Sequence, residues 1–211
     1  MPERRICLFG GTFDPIHNAH LKIAQEAMTR FALDRVFFVP AANPPHKTEA
    51  HLAPYEDRFQ MVEIACRPYP NFSPSRLEEA ASASYTIETL QRFRKELGAE
   101  DRLFFLIGSD AFDELETWKR WREVVRLTEF IVVKRPGGLY HIPENARVLR
   151  LDDLELPAAS RAIRAKLAHG EPTPELPPLV REFIEERGLY GAAKSTASPL
   201  RNADRKLPSK A

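Results

Sequence analysis

The stretch from Ile6 to His20, Ile-Cys-Leu-Phe-Gly-Gly-Thr-Phe-Asp-Pro-Ile-His-Asn-Ala-His, constrains the fold more than any other. Ile6, Cys7, Leu8 and Phe9 read as a buried strand, and from Ala19 the apolar positions Leu21, Ile23, Ala24, Ala27, Met28 and Phe31 recur at helical spacing. Val36-Phe37-Phe38-Val39-Pro40 is then a second apolar run, closed by proline. Strand, helix and strand in this spacing predict a right-handed βαβ unit with parallel strands, whose ligands gather at the strands' carboxyl ends. Gly10 and Gly11 are expected in the turn, where missing β-carbons let an anion approach the backbone and the N–H groups of the following helix face it.

The histidines sharpen this expectation. His17 lies just before the helix and His20 in its first turn, with Asn18 as the expected N-cap, so both imidazoles should stand over one helix end. Two N–H donors aimed at one point suit an oxyanion whose charge grows during a reaction. A zinc pair is the alternative, but no third ligand stands at a recognisable spacing.

With 211 residues, 43% of them hydrophobic, the chain can bury one good core. A formal net charge of +1 supplies no global field toward nucleic acid. Cys7 and Cys66 lie outside any metal or redox spacing and read as reduced core thiols. The apolar run after Met1-Pro2-Glu3-Arg4-Arg5 is too short for a signal peptide, and no segment approaches a membrane span, so a cytoplasmic protein is expected.

Further along, the loop Ala41-Ala42-Asn43-Pro44-Pro45-His46-Lys47 leaves the second strand stiffened by two prolines. A scaffold helix follows around Tyr55, with Phe59, Met61, Val62, Ile64 and Ala65 buried, and then a short edge strand near Phe72-Ser73-Pro74. Ser84-Tyr85-Thr86 opens another helix. Arg102–Gly108 is a clear strand, after which Ser109-Asp110 starts a helix expected to carry Leu115, Trp118 and Trp121. Strands are expected at Phe130–Val133 and Arg147–Leu151, and helices between Pro157 and Gly170 and up to Gly188. Domain limits follow as 1–191, with a disordered basic tail over 192–211.

Gly10-Gly11-Thr12-Phe13-Asp14-Pro15-Ile16-His17-Asn18-Ala19-His20 resembles the G-x-F-D-P-x-H-x-G-H signature of the nucleotidylyltransferase superfamily, with Ala19 where the signature has glycine. Ser84-Tyr85-Thr86 with Thr89 resembles the S-Y-T-x-x-T of the nicotinate-nucleotide adenylyltransferases. Ile107-Gly108-Ser109-Asp110 through Trp118 is similar to their I-G-x-D…L-x-x-W, and the string around Arg135-Pro136-Gly137 to V-x-x-R-P-G. Ala158 to Arg164 matches I-S-S-T-x-I-R only at Ser160, Ile163 and Arg164, with Ala158, Ala159 and Arg161 replacing an isoleucine and two hydroxyl residues.

That resemblance implies a Rossmann-like α/β fold, a doubly wound parallel sheet in a single domain. It implies adenylyl transfer from ATP to nicotinate mononucleotide, giving nicotinate adenine dinucleotide and pyrophosphate. His17, His20 and Arg164 would stabilise the leaving pyrophosphate, and Lys47 would neutralise the attacking phosphate. Gly10, Gly11, Thr12, Phe13, Gly108, Asp110 and Ser160 fall to ATP. Asn43, His46, Ser84, Tyr85, Thr86, Trp118 and Arg135 fall to the mononucleotide, with Trp118 on the pyridine ring and Trp121 in packing. Mg²⁺ would arrive with ATP, held by phosphates and water rather than by protein side chains. No nucleic-acid or membrane partner is implied, and a homo-oligomer is left open. Two rival readings are phosphopantetheine adenylyltransferase, which has no use for Ser84-Tyr85-Thr86 with Trp118, and a non-catalytic nucleotide-binding module. The helix starts near Asn18 and Tyr85 are expected to face a common cleft.

Overall fold

The computed structural model describes residues 3–43, 52–79, 83–134, 140–152, 154 and 159–192. His46, Lys47, Arg135, Ala158 and the tail beyond 192 lie outside them.

Six strands, β1 (Arg5–Gly11), β2 (Arg35–Pro40), β3 (Phe72–Pro74), β4 (Arg102–Gly108), β5 (Glu129–Val133) and β6 (Val148–Leu151), form one sheet in the order β3-β2-β1-β4-β5-β6. Every neighbouring pair is parallel. The helices are α1 (Asn18–Arg30), α2 (Tyr55–Cys66), α3 (Thr86–Arg94), α4 (Ser109–Asp113), α5 (Trp121–Leu127), α6 (Ser160–Ala168) and α7 (Pro178–Arg187). β3 is one of the two edge strands and closes on Pro74, whose missing N–H costs an edge little.

The apolar runs do not alternate because both sheet faces are covered. Cys7, Phe9, Val36, Phe38, Phe104, Leu106 and Ile131 point to one face and pack under α1, α2, α6 and α7. Ile6, Leu8, Val39, Leu103, Phe105, Ile107 and Phe130 point to the other, under α3, α4 and α5. Both cysteines are buried and unpaired, and burial pushes the Cys66 thiol up to about 12.

The winding fixes where a ligand can sit. From β1 the chain builds outward through β2 to β3, then returns by α3 to β4 on the far side of β1. The direction of winding therefore reverses between β1 and β4, and such a switch opens a crevice at the carboxyl edge. Gly10, Gly11 and Gly108 stand at those two strand ends. Helices α1 and α3 begin at this same edge, but from opposite faces of the sheet, so their starts flank the crevice instead of sharing one side of it.

Three local expectations are corrected. The glycine pair belongs to β1 itself, Gly10 beside Val39 and Gly11 beside Pro40. A β-carbon on Gly10 would come within 3.1 Å of the Phe105 ring, and one on Gly11 within 3.1 Å of the Phe13 ring. These glycines admit aromatic rings, and the positive φ of the following turn falls on Phe13 (46°). The N-cap of α1 is His17, because Asn18 is engaged elsewhere: its N–H donates to Glu175 C=O (2.8 Å) and its side chain to Pro174 C=O (3.2 Å). Trp118 and Trp121 do not share a helix, since a 3₁₀ turn over Leu115–Thr117 is followed by Arg120 in the left-handed region (φ 55°) before α5 starts.

Candidate active site

At the start of α1 the imidazoles of His17 and His20 stack, ring centroids 3.7 Å apart. The His17 N–H donates to His20 Nδ1 (3.2 Å), which places the proton of a neutral His20 on Nε2 and makes that atom a donor. Phe9 and Phe13 present ring edges to His20 at 5.9 and 5.1 Å. His17 is 3% exposed, and burial lowers its pKa to about 4, against a weaker opposite pull from Glu175. It is therefore neutral at pH 7. The His20 N–H turns back to His17 C=O (2.9 Å) while that of Asn18 is taken by Glu175, so this helix end spends backbone donors within the chain.

Asp14, 1% exposed, ties the same loop to the segment that follows α7. Its Oδ1 accepts from Tyr190 OH (2.7 Å) and Ala53 N–H (3.1 Å), while Arg164 Nη1 lies 3.4 Å from Oδ2 and donates to the Asp14 carbonyl (2.7 Å). Ser160, the first residue of α6, donates to Pro15 C=O (3.1 Å). Ser160 and Arg164 are thus brought to the histidine loop, and their first partners are its backbone. Arg164 remains about a quarter exposed, enough to meet an incoming phosphate.

Sequence reasoning assigned α2 to scaffold and passed over Arg58. This guanidinium is 2% exposed and lies between loops, donating to Thr12 C=O (2.8 Å), Ala41 C=O (2.7 Å), Ala42 C=O (3.4 Å) and Ala53 C=O (2.9 Å). A buried cation supplied with four carbonyls fixes the relative positions of the segments that provide them. Glu56, Gln60 and Glu63 form the outward polar stripe of α2, and the position of Arg58 off that stripe, among Phe59, Met61 and Val62, is the signal that it points inward.

The loop that Arg58 grips continues to the other half of the crevice. Asn43 N–H donates to Ser84 Oγ (3.0 Å) and Ser84 N–H to Asn43 C=O (3.0 Å), a two-way clasp between the end of β2 and the start of α3. Tyr85 is the N-cap of α3, and the N–H groups of Thr86 and Ile87 precede its first intrahelical bonds, which run from Glu88 and Thr89 to Tyr85 C=O (2.9 and 3.3 Å). Trp118 stands half-buried, edge-on to Phe105 at 6.3 Å, in the same apolar cluster as Tyr85. Gly108 closes β4 with open space where a β-carbon would project, and Asp110 is exposed in the first turn of α4. The described candidates therefore form two groups, one about His17, His20, Ser160 and Arg164 and one about Asn43, Ser84, Tyr85 and Thr86, joined through residues 41–43.

Comparison with known proteins gives this edge a context. Residues 8–173 match the cytidylyltransferase-like family model. A probable nicotinate-nucleotide adenylyltransferase of Solibacter usitatus is 51% identical over 186 residues, covering 88% of this chain and 99% of the relative. This chain belongs to the nicotinate-nucleotide adenylyltransferase family. A second member so named, from Moorella thermoacetica, is 39% identical over 198 residues, with 88% of this chain and 91% of that one covered. The solved Plasmodium falciparum nicotinic acid mononucleotide adenylyltransferase, complexed with NaAD, shares the fold at a TM-score of 0.74 and 21% identity, over 90% of this chain and 98% of that one. The single-domain parallel sheet is thus that of a nicotinate-nucleotide adenylyltransferase. Enzymes of this family generally use a divalent metal. Among the described residues no three His, Cys, Asp or Glu side chains converge to hold one, and no helix is long and apolar enough to cross a membrane.

Proposed function

We propose that this protein transfers the adenylyl group of ATP to nicotinate mononucleotide, forming nicotinate adenine dinucleotide and releasing pyrophosphate, a step of NAD biosynthesis. The stacked pair His17 and His20 at the mouth of the β1/β4 crevice carries the reading, supported by the family and by the S-Y-T start of α3 across that crevice.

The acceptor phosphate is already anionic and needs no general base, so the work lies in holding two anions in line and stabilising charge that builds on the leaving pyrophosphate. His20 Nε2–H supplies one donor in a wall of aromatic rings, where the surrounding apolar matter strengthens it. His17 fixes that tautomer through its backbone. Arg164 and Ser160 stand beside the same loop for the β- and γ-phosphates, Gly10, Gly11, Thr12 and Phe13 border the triphosphate, and Gly108 and Asp110 border the nucleoside. Asn43, Ser84, Tyr85 and Thr86 receive the pyridine acid, with Trp118 against its ring. His46, Lys47 and Arg135 complete the assignment from the sequence alone. Magnesium enters as part of the substrate Mg·ATP, carried by phosphates and water. The domain is assigned to residues 1–191 and the protein to the cytoplasm.

Pyrophosphate release tests this directly. ATP with nicotinate mononucleotide should release it, and ATP with pantetheine phosphate should not. Release from neither would leave a nucleotide-binding module.

A further inference from the structure

Lys119 follows Trp118 directly and reaches to α3, which packs on the same face of the sheet. Its Nζ stands 4.1 Å over the Tyr85 ring centroid and donates to Glu88 Oε1 at 2.8 Å. Tyr85 is the N-cap of α3 and Glu88 lies in its first turn. One side chain thus spans the two elements assigned to the pyridine ring, placing a full positive charge at the mouth of that subsite. From this geometry we infer that Lys119 is a specificity-determining residue, whose ammonium favours the carboxylate of a pyridine mononucleotide over the isosteric carboxamide.

The inference rests on the adenylyl-transfer reading and deepens it. Acid and amide match in size and shape, so a pocket wall cannot sort them and discrimination must come from charge and hydrogen bonding. The N–H groups at the start of α3 can serve either group's oxygen. A fixed cation beside them adds a Coulomb term that only the acid feels. Glu88 holds the ammonium in place over Tyr85 but opposes it in sign, while Arg92 lies 3.9 Å from the other Glu88 oxygen and shares that countercharge. Charge and tether therefore make opposite predictions for Glu88. If Lys119 acts by charge, removing Glu88 leaves the acid preference intact or raises it. If Lys119 were only a strap between Trp118 and α3, removing either partner would have the same effect.

The test compares kcat/KM for nicotinate and nicotinamide mononucleotides, each with Mg·ATP, in the wild type and in Lys119→Met, Lys119→Arg and Glu88→Gln. Lys119 is exposed and Glu88 about a third exposed, and the ratio is read within one preparation, so differences in folding cancel. Lys119→Met should lower the acid-to-amide ratio roughly fivefold, the upper range for a solvent-exposed charge pair. Lys119→Arg should retain the ratio, and Glu88→Gln should retain or raise it. Added salt should erode the ratio in the wild type more than in Lys119→Met. An unchanged ratio in Lys119→Met, or an equal fall in Glu88→Gln, would overturn the inference. Should the wild type turn over neither mononucleotide, the adenylyl-transfer reading itself fails and takes this one with it.

Discussion

The backbone N–H of His17 donates to Nδ1 of His20, and the two rings stack within van der Waals reach, inclined by 23°. One histidine thereby decides which nitrogen of the other faces the crevice. In the proposed reaction this gives them unequal tasks: His20 would meet the anion, and His17 would hold it in the donating tautomer.

Replacing His20 with alanine should lower kcat for pyrophosphate release by at least about a hundredfold, the usual loss for a donor to developing negative charge. Its far-ultraviolet spectrum should stay that of the wild type. Unchanged turnover would remove His20 from the chemistry.

The depressed pKa of His17 makes stability depend on pH. Above pH 6.5 the imidazole is neutral in the folded and unfolded chains and the effect vanishes. Between 6.5 and about 4 the unfolded chain takes up a proton that the folded one refuses, so stability falls as pH falls, by about 3 kcal/mol once both are protonated. The difference in denaturant midpoint between the wild type and His17→Asn should be constant above pH 7, and the variant should show the shallower slope on the acid side.

Arg58→Met keeps much of the side-chain volume but deprives the carbonyls of Thr12, Ala41 and Ala53 of their donor. A loss of about 3 kcal/mol is expected, which lowers Tm by roughly 6–12 °C in a chain of this size. Turnover measured well below the new Tm should also fall, because the loops on both sides of the crevice lose a shared anchor. A variant with wild-type Tm would show that water replaces the guanidinium without cost.

Gly11→Ala and Gly108→Ala should part company. A methyl on Gly11 meets three Phe13 ring atoms at 3.1–3.3 Å, and Phe13 is packed against Phe9, Phe38 and His20. Overpacking there should cost about 1–3 kcal/mol and disturb turnover together with the fold. Gly108 has nothing within 4 Å of the same methyl, so its variant should melt within about 0.5 kcal/mol of the wild type. A loss of activity in Gly108→Ala alone would then report crowding of the nucleotide.

Much of this was legible in the sequence because it depends on local pattern. The strands stand out as short apolar runs since parallel strands bury both faces, and the histidine pair is visible because three-residue spacing at a helix start brings rings together. Arg58 was hidden because its partners are backbone carbonyls of distant loops, which leave no mark in side-chain identity. The break between Trp118 and Trp121 was hidden because the left-handed residue is Arg120, where glycine or asparagine would have announced it. The glycines of β1 were seen, but they were expected in the turn and the rings that crowd them were not. The rings that need their space come from Phe13 and from Phe105 on another strand, and strand register cannot be read from one run alone.

The short segment 41–43 is held by Arg58 on one side and by Ser84 on the other, so the two groups of candidate site residues are registered to a single piece of main chain. Damage at either pocket should therefore surface as weakened affinity for both substrates at once, a signature that separately mounted pockets would not produce.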